Sequence, residues 1–154
     1  MYLKTLLFAG ILLTPVFACG QKKLLCSSEN VEIWYSYSGR IYYLSASSAL
    51  CLNGMTTLTV TYTVIPSFQF RHVSLKASIW YNKRHWFEKT MNDFYCPDVK
   101  LCNVLKGETL HDTITQPFSP HMMPKGIYEV FIEVINLDSI MEEKAQLNVT
   151  TVIR

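Results

Sequence analysis

Cys96-Pro97-Asp98-Val99-Lys100-Leu101-Cys102 runs straight into Asn103-Val104-Leu105-Lys106-Gly107-Glu108-Thr109. Two cysteines with five residues between them can close a small disulfide loop, and the Lys-Gly-Glu turn that follows opens a β-like run. Further on, Pro124-Lys125-Gly126-Ile127-Tyr128 is a second turn leading into an alternating strand. This order suggests a secreted β-sandwich rather than an enzyme.

Period-two alternation recurs along the chain. Leu58, Val60, Tyr62 and Val64 alternate with Thr57, Thr59, Thr61 and Thr63, and Pro66 stops the run. Such a segment reads as a half-buried strand with its threonines toward water. Val31, Ile33, Tyr35 and Tyr37 form another, as do Val73, Leu75, Ala77 and Ile79. Tyr128, Val130, Ile132 and Val134 make a fourth, and Ala145, Leu147, Val149, Thr151 and Ile153 the last. Turn signals separate these runs at Ser38-Gly39, Asn53-Gly54, Lys106-Gly107, Pro124-Lys125-Gly126 and Asn136-Leu137-Asp138-Ser139. No segment carries a long, capped 3.6-residue pattern. Seven to nine short strands predict an all-β, antiparallel two-sheet sandwich of immunoglobulin-like type.

The first 20 residues read as an export signal: Lys4, an apolar run from Thr5 to Phe17, and the small-x-small site Ala18-Cys19-Gly20. Cleavage is expected after Gly20, or after Ala18. Val16-Phe17-Ala18-Cys19 also loosely matches a bacterial lipoprotein box, which the sequon described below disfavours. The expected domains are therefore 1–20, the signal, and 21–154. Four cysteines remain: Cys26, Cys51, Cys96 and Cys102. An even count behind a signal implies disulfides, with three connectivities open. Nearest-neighbour pairing requires the least. Zinc would need all four thiolates, and there is no Cys-x-x-Cys pair.

Net charge is +2, with no strongly basic stripe, which argues against nucleic acid as a partner. The 49% hydrophobic and 17% charged fractions are apolar for a small domain: either the core is large, or part of it lines a cavity filled by a ligand. His72, His85, His111 and His121 sit in no metal spacing or catalytic motif, and no phosphate loop exists, so no enzyme, metal or cofactor is expected. Met122 and Met123 lie between prolines on a loop, either as an adaptable apolar contact or packed onto the core. Trp80-Tyr81-Asn82-Lys83-Arg84-His85-Trp86-Phe87 reads equally as a cavity rim or as a plain hairpin with a solvated tip. Asn148-Val149-Thr150 is the one N-glycosylation sequon, with Asn148 facing out.

The chain resembles the ML (lipid-recognition) domain family over essentially its whole mature length. The resemblance is most specific in Cys102-Asn103-Val104-Leu105-Lys106-Gly107-Glu108-Thr109, Gly126-Ile127-Tyr128, Cys26-Ser27-Ser28 and Tyr35-Ser36-Tyr37, with Ile65-Pro66 also fitting. It implies a β-cup whose sheets splay around a deep apolar cavity. Lipid-binding walls would then include Ile33, Leu44, Val60, Tyr62, Val64, Leu75, Ile79, Leu110, Ile114, Phe118, Tyr128, Val130, Ile132, Leu147, Val149 and Ile153, with Met123 on the closing loop. Lys106, Gly107 and Glu108, with Met122 and Met123, would meet a receptor.

Within the family the likeness points to secreted accessory proteins of innate immune receptors, which bind lipopolysaccharide-like acylated lipid and present it to a leucine-rich-repeat ectodomain, Toll-like receptor 4. Alternatives of the same fold are a soluble sterol or glycolipid transfer protein and an accessory subunit of a different leucine-rich-repeat receptor. The chain departs from that branch in three places. Ser38 replaces a cysteine whose partner near Leu147 or Asn148 is also missing, which should leave the terminal strands less tightly stapled. Only Asp98 remains of the acidic residues between the last two cysteines. An arginine-rich stretch is replaced by Ser67-Phe68-Gln69-Phe70.

Overall fold

The computed structural model describes residues 20–48, 51–52, 54–95 and 100–154. The proposed signal up to residue 19, Asn53, Cys96 and Asp98 lie outside the described residues. Nine strands are present among those described: β1 (Lys23–Ser27), β2 (Val31–Gly39), β3 (Ile41–Ser48), β4 (Thr57–Pro66), β5 (His72–Tyr81), β6 (Arg84–Tyr95), β7 (Leu110–Pro117), β8 (Gly126–Asn136) and β9 (Glu143–Ile153). A single helical turn, α1 (Lys100–Asn103), and a 3-10 turn (Pro120–Met122) interrupt them.

All pairings are antiparallel. One sheet has six strands in the order β1-β2-β9-β8-β5-β6, and the other three in the order β3-β4-β7. Register decides which side chains face inward, because alternate residues point to opposite faces. Tyr35 pairs with Val149 and Val149 with Val130; Val130 in turn pairs with Ile79. Tyr37, Leu147, Ile132 and Ala77 form the next row of the same face. On the small sheet the outer face is fixed by hydroxyl ladders: Thr59–Thr115 at 3.1 Å, Thr61–Thr113 at 3.0 Å and Thr63 Oγ1–His111 Nδ1 at 2.8 Å. Leu58, Val60, Tyr62 and Val64 therefore look toward the large sheet.

Cys26 and Cys51 are disulfide-bonded, with Cα atoms 5.4 Å apart, so the nearest-neighbour pairing holds for this pair and a four-thiolate zinc site is excluded. Cys102 is disulfide-bonded as well, and its expected partner Cys96 is outside the described residues. The missing staple at Ser38 has a substitute. Ser38 lies opposite Gln146 and its Oγ donates to Gln146 Oε1 at 3.2 Å. Beside it, Arg40 meets Glu143 at 2.8 Å. β2 and β9 pair without interruption from Val31–Ile153 to Gly39–Ala145.

Candidate functional site: an apolar slot between the sheets

The buried core is split into two plugs. One gathers Cys26, Val31, Ile33 and Cys51 with Leu25, Met55, Leu58, Phe118 and Val149. The other gathers Phe68, Phe70, Val73 and Ala145 with Ile41, Leu101 and Val134. These plugs close opposite ends of the sandwich: the first lies where β2 and β4 begin, the second where they end. One long edge is closed too, since β1 and β2 approach β3. There the Tyr35 hydroxyl accepts the Ala46 amide at 2.9 Å, and Lys23 Nζ donates to the Leu44 carbonyl at 3.2 Å.

Between the plugs the facing apolar side chains are only partly covered. Val60, Tyr62, Leu75, Ile79, Val130, Ile132 and Leu147 face inward yet stay partly exposed, and Ile114 on β7 is 42% exposed. A shut sandwich would bury these side chains to the near-zero exposure that Ile33 and Val31 have. Each exposed methylene forgoes about 0.8 kcal/mol of burial, so the face is one that a hydrocarbon guest would cover favourably. β6 and β7 are the free outer strands of their sheets and border the open flank.

The predicted wall residues divide between this face and the surrounding core. Leu44 lies opposite Val64, and Leu110 opposite Val64 on the other side. Ile33, Val64, Tyr128 and Ile153 are buried in the surrounding core, while Phe118 and Val149 pack against the Cys26–Cys51 plug. The methionine pair divides: Met122 is 78% exposed, whereas Met123 is partly covered. The exposed Lys106-Gly107-Glu108 turn is anchored by Gly107 N–H to the Pro66 carbonyl (2.9 Å) and by Leu105 N–H to Glu108 Oε2 (3.0 Å). It precedes β7, whereas the methionines follow it. The two groups thus stand at opposite ends of β7, about 25 Å apart at ~3.4 Å per residue, and do not form one patch.

The Trp80–Phe87 segment is a hairpin, turning at Asn82 and Lys83 with φ of 46° and 65°. Its base also borders the slot, for Tyr81 and Trp86 lie 4.9 and 6.4 Å from the Tyr128 ring. Asn148 projects from the outer face of the large sheet, between Ser36 and Phe131, into a depression of about 280 Å³ that also includes Lys76, Ser78 and Phe131. Its Oδ1 is buried without a hydrogen-bond partner among the described residues.

Three features escaped sequence reasoning. Phe68 and Phe70 are a T-shaped pair 4.8 Å apart that plugs one end, not merely a gap in a basic rim. Their closeness to Pro66 was the available signal. His72 is clamped by two carboxylates, Asp93 on Nε2 and Asp138 on Nδ1 (2.9 Å). Asp112 faces inward beside Tyr62 and pairs with Lys100 at 2.8 Å. Among the described residues no cluster suited to a metal ion occurs, and no helix is long and apolar enough to cross a membrane.

No protein-family profile matches the chain. Lymphocyte antigen 96 of Bos taurus is 26% identical over 137 residues, covering 86% of this chain and 83% of that protein. The crystal structure of chicken MD-1 complexed with lipid IVa superimposes with a TM-score of 0.63 at 16% identity, covering 87% of this chain and 98% of that one. Taken with the two-sheet fold, these likenesses support the resemblance to the ML (lipid-recognition) domain family.

Proposed function

We propose that this protein is a secreted, lipid-binding accessory protein of an innate immune receptor, taking acylated lipid into the slot between its sheets. The carrying observation is the partly exposed apolar face between two plugs. Support comes from MD-1, a protein of this fold solved with lipid IVa, and from the similarity to lymphocyte antigen 96. The slot floor from Tyr128 to Val134 is about 20 Å long at ~3.4 Å per residue. An acyl chain burying a dozen methylenes there would gain about 10 kcal/mol before the cost of ordering. No catalytic step is needed.

The finer reading is presentation of lipopolysaccharide-like lipid to a leucine-rich-repeat ectodomain, Toll-like receptor 4. Exposed Met122 with Met123 at one end of β7, and the Lys106–Glu108 turn at the other, would bracket the open flank and touch the receptor on either side of bound lipid. Asn148 would carry a glycan on the opposite face, away from the flank.

Co-expression with that ectodomain, followed by pull-down and mass spectrometry of extracted lipid, tests this reading. A ternary complex with acylated lipid is expected. A monomer loaded with sterol that ignores the receptor would replace presentation with lipid transfer, and a protein free of any lipid would refute both. Met123→Ala is expected to weaken receptor activation more than lipid uptake. Equal loss of both, or of neither, would contradict the loop's role. Glycosidase treatment should lower the apparent mass of secreted protein, and Asn148→Gln should abolish that shift.

A further inference from the structure

An inward-facing carboxylate borders the slot on its open flank. Along β7 the inward positions are Leu110, Asp112, Ile114 and Gln116, since each lies opposite an inward residue of β4. Asp112 sits directly opposite Tyr62, with its side chain 19% exposed. Lys100 reaches over from α1 and donates from Nζ to Asp112 Oδ1 at 2.8 Å. That bond, with the Thr113 amide, holds the Asp112 carboxyl below the usual carboxylate range. Two donors do not exhaust a carboxylate, which has about four acceptor positions.

Tyr62 differs from the neighbouring tyrosines. Tyr81 and Tyr128 donate their hydroxyls to the carbonyls of Lys125 and Pro124, each at 2.8 Å, and the Tyr35 hydroxyl accepts from Ala46. The Tyr62 hydroxyl has no hydrogen-bond partner among the described residues, and burial pushes its pKa up, so it stays a donor. A partly buried hydroxyl beside a carboxylate with spare acceptor capacity is a donor–acceptor pair without a counterpart.

We infer that Asp112 and Tyr62 form a polar recognition point for an uncharged hydroxyl set in an otherwise apolar lipid, with Lys100 positioning and neutralising the carboxylate. The inference rests on the lipid-binding reading above. The ligand hydroxyl donates to Asp112 and accepts from Tyr62. A phosphate is disfavoured here, because Asp112 repels it and the Lys100 charge is already matched. The hydroxyl can come from a hydroxylated acyl chain or from a sterol; the chemistry is shared.

Competition against a fluorescent naphthalene-sulfonate probe on the delipidated full chain separates these cases. The pairs are 3-hydroxytetradecanoate against tetradecanoate, and cholesterol against its methyl ether. In at least one pair the hydroxyl-bearing member is expected to compete about tenfold more strongly, and the pair that shows this names the source. Asp112→Leu and Tyr62→Phe should each shrink the gap, read as the ratio within a pair, to within about twofold. Should either variant fail to fold, the pairs on the unaltered protein still decide. Equal competition within both pairs overturns the recognition point and leaves lipid binding intact. A gap that persists in both variants places the hydroxyl elsewhere and also overturns it. Failure of every lipid to compete overturns the lipid reading itself.

Discussion

At the residue scale, His72 shows how a few side chains tie distant segments together. Its ring joins the start of β5 to Asp93 near the end of β6 and to Asp138 in the β8–β9 turn. The Asp93 hydrogen bond and then the Asp138 one raise its pKa above the ordinary histidine value. A group whose folded pKa is raised lends stability that is full below its unfolded value and lost as pH rises through the folded value. His72→Gln should therefore lower the urea midpoint more at pH 5.5 than at pH 8.5; an equal effect at both would contradict the clamp. The Cys26–Cys51 bond constrains a loop of sequence separation 25, so the double serine variant should lose about 2–4 kcal/mol in denaturant unfolding. The Cys26–Cys51 bond is the nearest-neighbour choice among the three connectivities that an even cysteine count leaves open. The His72 clamp was not legible in the sequence, since its partners are 21 and 66 residues away and only the fold brings them together.

At the element scale, the strands with clean alternation were readable: β2, β4, β5, β8 and β9 each put an apolar row against the interior. β6 was not, because as a free outer strand its Arg84–Thr90 stretch is exposed on both faces, and nothing enforces a period of two. β3 loses its alternation to an irregularity between Ile41 and Tyr43. The β5–β6 turn lacked the usual glycine signal, yet Asn82 and Lys83 both take positive φ. Asn82 compensates by accepting the Ile127 amide on Oδ1 at 2.9 Å. Lys83→Gly should raise stability by about 1 kcal/mol, read as a higher urea midpoint. Gly126 meets this same turn with φ +153°, and a Cβ there would lie 2.6 Å from the Tyr81 ring and 2.8 Å from Asn82 Oδ1. Gly126→Ala should cost about 1–3 kcal/mol in the same measurement.

For the whole molecule, the division of labour is between plugs that carry stability and walls that, in the proposed function, carry the guest. Phe68 is 3% exposed in a plug, so Phe68→Ala should cost about 3–5 kcal/mol. Ile132 is partly exposed on the wall, so Ile132→Ala should cost less than about 2 kcal/mol in lipid-free protein yet weaken lipid binding. Unfolding and probe-displacement titrations on the two variants would show the contrast. Composition hinted at this arrangement through its apolar excess, but the location of the plugs depends on which loops fold inward, and alternation says nothing about loops. A crystal structure of the secreted protein with its co-purified contents is the most direct measurement. Continuous electron density for a hydrocarbon occupant is predicted between Val60 and Tyr62 on one side and Ile79, Val130 and Ile132 on the other. Those side chains packed against one another, with the flank closed and nothing between them, would contradict the account.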